Sequence, residues 1–86
     1  MYRVIIERQV DKDVVGLPPK IVGQIIRKAE SLAENPRPQD CKRVISRPGE
    51  LRVDSGEYRI FYTVDDAEQV VTVLRVLHRR EAYRER

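Results

Sequence analysis

Leu51-Arg52-Val53-Asp54-Ser55-Gly56-Glu57-Tyr58-Arg59-Ile60 decides how this chain is read. Apolar and polar residues alternate on either side of a short turn, the pattern of a tight β-hairpin. With Ser55-Gly56 as the two turn residues, Asp54 faces Glu57, Val53 faces Tyr58, Arg52 faces Arg59 and Leu51 faces Ile60. Alternation then places Leu51, Val53, Tyr58 and Ile60 on one face and both arginines on the other. Like charges directly opposite one another destabilise a sheet. Two arginines kept together therefore suggest an anion site, weighed against an ordinary solvated face.

Working outward, Tyr2-Arg3-Val4-Ile5-Ile6 reads as a strand, and residues 8–16 as a short helix ending at Gly16. Pro18-Pro19 opens a second helix, since proline is tolerated in a first turn. Ile21, Val22, Ile25, Ile26, Ala29, Leu32 and Ala33 form its apolar stripe, and Asn35-Pro36 ends it. Residues 41–46 suggest a strand, Pro48-Gly49 a turn, residues 58–64 a strong strand and residues 69–77 a long β-branched one. Helices and strands segregated in this way give an α+β fold in the order β-α-α-β-β-β-β. It is a small antiparallel sheet with two N-terminal helices packed on one face, and the other face is open and carries Arg52 and Arg59. Residues 1–86 are expected to form a single domain.

The chain has 86 residues, 41% hydrophobic and 36% charged, which is globular rather than disordered composition. So short a chain has a thin core, and a surface cleft is the expected kind of site. A single cysteine, Cys41, excludes an internal disulfide and suits a reducing cytoplasm. No apolar run approaches the length of a membrane span. One histidine and one cysteine do not build a zinc site, and no phosphate-binding glycine loop is present, so neither metal nor cofactor is expected. The net charge is +3. Residues 37–52 hold five cations against two carboxylates, and residues 75–86 do the same. Positive charge gathered in this way fits a phosphate-bearing partner.

Arginines, tyrosines and one histidine suffice for one chemistry, metal-free cleavage of RNA. The 2′-hydroxyl is the nucleophile. The protein removes its proton, stabilises the phosphorane and protonates the leaving 5′-oxygen. Candidate contacts on the outward positions and basic segments are Glu50, Arg52, Arg59, Arg79 and Tyr83. Lys42, Arg43, Arg47, Phe61, His78 and Arg80 are candidate RNA-binding residues around them.

The segment L-R-V-x-S-G-E-Y-R-I-F-Y at 51–62 and the ending V-L-H-R-R-E-A-Y at 76–83 resemble the RelE branch of the RelE/ParE toxin superfamily. The resemblance implies a toxin of a type II toxin–antitoxin pair that cuts messenger RNA in the ribosomal A site, beside the 16S rRNA. It implies a RelB-like antitoxin partner, with the complex binding its own operator DNA, and a cytoplasmic location. Arg59 then matches the arginine that steadies the transition-state phosphate. Arg79 matches the arginine ending the last strand, Tyr83 the tyrosine that orients substrate, and Arg52 a strand lysine. Glu50 and Arg52 stand where relatives carry two lysines. Arginine stays protonated, so Glu50 is left as general base or as a counter-ion to Arg52. The alternatives are a ParE-like inhibitor of DNA gyrase and a non-toxic antitoxin-binding module.

Overall fold

A computed structural model describes residues 1–85, with side chains through Ala82. The elements run β1 (Arg3–Ile6), α1 (Arg8–Asp13), α2 (Pro19–Ser31), β2 (Lys42–Arg43), β3 (Glu50–Ser55), β4 (Tyr58–Asp65), β5 (Val70–His78) and α3 (Arg79–Glu85). The five strands form one sheet in the order β1-β5-β4-β3-β2. β2 to β5 pair antiparallel, as the sequence suggests. β1 lies parallel to β5 at the opposite edge, Arg3 beside Val70 and Ile6 beside Val73. The chain covers the crossover between them with both N-terminal helices, as a parallel pair requires.

The principal core lies between those helices and the sheet. Val10 of α1 and Ile25 and Ala29 of α2 are buried, with Leu32 just beyond, against Val53, Ile60, Tyr62, Val71, Val73 and Val76. The apolar stripe of α2 points inward for this reason. α2 closes earlier than its stripe suggests. Leu32 and Ala33 donate to the carbonyls of Ala29 and Glu30, so the last turn tightens before Asn35 is reached. α1 likewise ends at Asp13, and the chain turns through Gly16 at φ +84°.

The hairpin register differs from the sequence expectation. Ser55 pairs with Tyr58, Asp54 with Arg59, Val53 with Ile60, Arg52 with Phe61 and Leu51 with Tyr62. The two turn residues are Gly56 and Glu57. Gly56 has φ +58°. Glycine adopts that conformation most readily, and a turn with one positive φ at its first central residue puts Gly56 there. A Ser55-Gly56 turn of the I′ kind would force Ser55 into the same region. The correction moves pairings by two, so each residue keeps its face. It takes the two arginines out of direct opposition while leaving them on one face, because Arg59 now lies opposite Asp54.

Two further differences concern the supposedly open face. β2 is only two residues long, and residues 44–49 form a loop in which Val44 donates to the Glu50 carbonyl and Glu50 to the Arg47 carbonyl. The last strand is followed by a third helix, α3, absent from the sequence expectation. Ala82 of α3 packs with Val44, Phe61 and Leu77 in a second, smaller core on the face away from α1 and α2. The order is therefore β-α-α-β-β-β-β-α, and the second face is partly roofed.

Candidate anion-binding cleft on the sheet face

β3 and β4 carry the cleft because their outward residues alternate with core residues. Val53 and Ile60 are anchored beneath the helices, which forces Arg52, Asp54 and Arg59 outward. The cleft has a volume of about 430 Å³ and is lined by Arg43, Val44, Ile45, Ser46, Arg52, Arg59, Phe61 and Ala82. Its floor is the small core under α3. Its wall is the loop after β2. Lys42 stands on β2 directly beside Arg52.

One carboxylate holds the arginine pair. Asp54 Oδ1 accepts a hydrogen bond from Arg52 Nη1 at 3.1 Å and lies 3.7 Å from Arg59 Nε. The Arg52 and Arg59 side chains are only 20% and 29% exposed, whereas Asp54 is 53% exposed. Two half-sunken guanidinium groups thus meet at one accessible oxygen. Neither makes a bidentate pair, the strong geometry for arginine and an oxyanion. Asp54 was not among the sequence candidates. The register explains why, since the expected hairpin set it opposite Glu57.

Several candidates stand elsewhere than expected. Phe61 is 1% exposed beneath Val44 and Ala82, so it supports the floor and offers no face for a base to stack on. Glu50 is 5% exposed. Its Oε2 lies 3.9 Å from Arg47 Nε, while Arg52 turns to Asp54. Arg43 lines the cleft, and Arg47 is exposed on the loop.

The C-terminal candidates form a second depression of Glu57, His78, Arg79 and Arg80. The Arg79 amide donates to the Glu57 carbonyl at 2.8 Å, and its Nη1 reaches Glu57 Oε2 at 3.4 Å. α3 is thereby latched to the hairpin turn. His78 pairs with Tyr58, packs edge-on against its ring at 5.3 Å and accepts the Arg80 amide on Nδ1. Tyr58 belongs to the helix-covered side, so His78 does not join Arg52 and Arg59. Tyr83 belongs to α3, and its side chain lies outside the described residues.

The scaffold under the cleft is tied by polar contacts. Asp13, at the end of α1, accepts from Arg75 Nε and Nη2 at 3.0 and 3.1 Å and from the Val76 amide at 2.9 Å. Burial pushes its carboxyl up, but Arg75, the Val76 N–H and Gln9 outweigh that and hold it below the usual carboxylate range. Tyr62 donates to the Pro36 carbonyl at 2.7 Å, and burial pushes its phenol well above the usual value.

This chain is similar to known toxins in sequence and in fold. Residues 3–83 match the family described as the ParE toxin of type II toxin–antitoxin systems, parDE. The chain therefore belongs to the RelE/ParE superfamily and is a type II toxin–antitoxin toxin. Among relatives, it is 31% identical to the toxin RelG of Mycobacterium tuberculosis over 74 residues, 85% of each chain. It superposes on a chain of the RelBE2 toxin–antitoxin complex of M. tuberculosis with a TM-score of 0.77 at 30% identity, covering 90% of this chain and 96% of that one. The archaeal RelE–RelB complex of Pyrococcus horikoshii gives a TM-score of 0.78 at 26% identity, with 91% and 94% covered.

Proposed function

We propose that this toxin is a ribosome-dependent, metal-independent endoribonuclease that cuts messenger RNA and arrests translation. The observation that carries the reading is the convergence of Arg52 and Arg59 in one cleft on the side of the sheet away from α1 and α2. In the reaction, the 2′-hydroxyl gives up its proton as its oxygen attacks the adjacent phosphorus, the P–O5′ bond breaks, and the 5′-oxygen takes up a proton as it leaves. The products are a 2′,3′-cyclic phosphate and a 5′-hydroxyl. Arg59 and Arg52 balance the charge that builds on the phosphorane oxygens. Arg43 and Lys42 extend the positive surface along the RNA backbone. Arg79 and Tyr83 act from α3 on the leaving group and the ribose, as the resemblance implies. The cleft holds arginines rather than a group of suitable basicity, so its intrinsic power is limited. A ribosome that orients the substrate supplies the missing rate.

The partner is a RelB-like antitoxin. The similarity to toxin chains of RelBE complexes supports it, as does the basic surface that an acidic, partly disordered segment would cover. The complex binds its operator DNA, and both act in the cytoplasm. Inhibition of DNA gyrase is the second reading, favoured by the ParE description of the matched family. Induction in a bacterial host separates the two. Arrest of amino-acid incorporation within minutes supports the nuclease, and slow filamentation with DNA damage supports gyrase.

A further inference from the structure

We propose that Asp54 is an internal anion occupying the phosphate position between Arg52 and Arg59, and that a phosphodiester binds by displacing it. The inference rests on the phosphodiester reading of the cleft and identifies what discriminates its ligands. Asp54 Oδ1 accepts a hydrogen bond from Arg52 Nη1 at 3.1 Å and lies in ion-pair range of Arg59 Nε at 3.7 Å, between the two guanidinium groups where a phosphate oxygen would reach both. Both arginine side chains are half-buried, which holds their guanidinium groups in place around one anion position. Asp54 is the member that can leave. Its side chain is half exposed, its Oδ2 accepts no hydrogen bond among the described residues, and rotation delivers the carboxylate to water.

A phosphodiester brings two oxygens and can engage both arginines more fully than one carboxylate oxygen does. It must still compete with Asp54. Free RNA, arriving in many conformations, competes poorly. A phosphate held in place by a large partner competes well, because its ordering has already been met elsewhere. Asp54 therefore selects for presented substrate over free strands.

The test is equilibrium binding of a fluorescein-labelled RNA hexanucleotide, 2′-O-methylated at every ribose so that it is not cut, at about 50 mM salt. The full chain is compared with Asp54→Asn and with Asp54→Ser, each checked for folding by circular dichroism. Removing a pair of exposed ion-pair contacts should tighten binding by about tenfold. In an Arg59→Ala background the same change should gain threefold or less. A gain below twofold in both variants overturns the proposal. So does a gain of equal size with Arg59 absent, which would mark a diffuse charge effect. Cleavage on ribosomes by a toxin whose Asp54→Asn form binds no tighter leaves the nuclease reading standing without this inference. Tighter binding by Asp54→Asn with no cleavage on ribosomes by either form does the reverse.

Discussion

Replacing Asp13 with alanine should cost more stability than any other single polar change in the scaffold. The Asp13 side chain is 5% exposed. It accepts from two nitrogens of Arg75, from the Val76 amide and from Gln9. Removing one partner of a buried ion pair costs about 3–5 kcal/mol. Arg75 is 28% exposed and keeps some access to water, which lowers the expectation to about 2–4 kcal/mol. At about 4–8 °C per kcal/mol for a domain of this size, Tm should fall by at least about 8 °C. Thermal unfolding followed by circular dichroism measures it. The pH dependence has a definite sign. The folded carboxyl lies below its ordinary value of 3.8. Its contribution is therefore full above that value and is lost as pH falls through the lower folded one. The gap between wild type and Asp13→Asn should thus stay constant from neutrality to about pH 5 and shrink only in stronger acid. A Tm change under about 3 °C for Asp13→Ala would refute the reasoning, since the α1–β5 tie would then be unimportant.

Phe61→Ala should destabilise by about 3–5 kcal/mol in urea unfolding, as for a large core side chain, whereas an exposed stacking residue would cost little. Arg59→Ala and Arg79→Ala should each slow single-turnover cleavage on ribosomes by about 10²–10³-fold with far smaller changes in ribosome binding; an Arg59→Ala protein cutting at the wild-type rate removes Arg59 from the mechanism. Glu50→Gln distinguishes base from counter-ion: near-complete loss of cleavage in a folded variant keeps Glu50 as a base, and full activity leaves it as the partner of Arg47.

Much of the fold was legible because burial imposes period. The stripe of α2 and the alternation of β3 and β4 follow from which side chains must leave water, so facing was read correctly even where register was not. The register error came from the turn, where Ser55-Gly56 and Gly56-Glu57 both place a glycine in a two-residue loop. Backbone conformation, with Gly56 at φ +58°, separates them. That error hid Asp54, which lies opposite Arg59. α3 left little trace because Arg79-Arg80-Glu81-Ala82-Tyr83-Arg84-Glu85 has only Ala82 and Tyr83 to suggest a buried side. Phe61 was assigned to the correct face, but its burial depends on Val44 and Ala82, residues distant in sequence. The parallel pairing of β1 with β5 is likewise a long-range contact that local pattern does not encode.

Cleavage of a defined messenger RNA in the A site of programmed 70S ribosomes, beside the same RNA alone, tests the central claim most directly. The wild-type toxin should cut at the A-site codon within minutes, leaving a 2′,3′-cyclic phosphate and a 5′-hydroxyl, and should leave free RNA almost intact. Intact RNA on the ribosome, with gyrase supercoiling blocked by the same preparation, would contradict it.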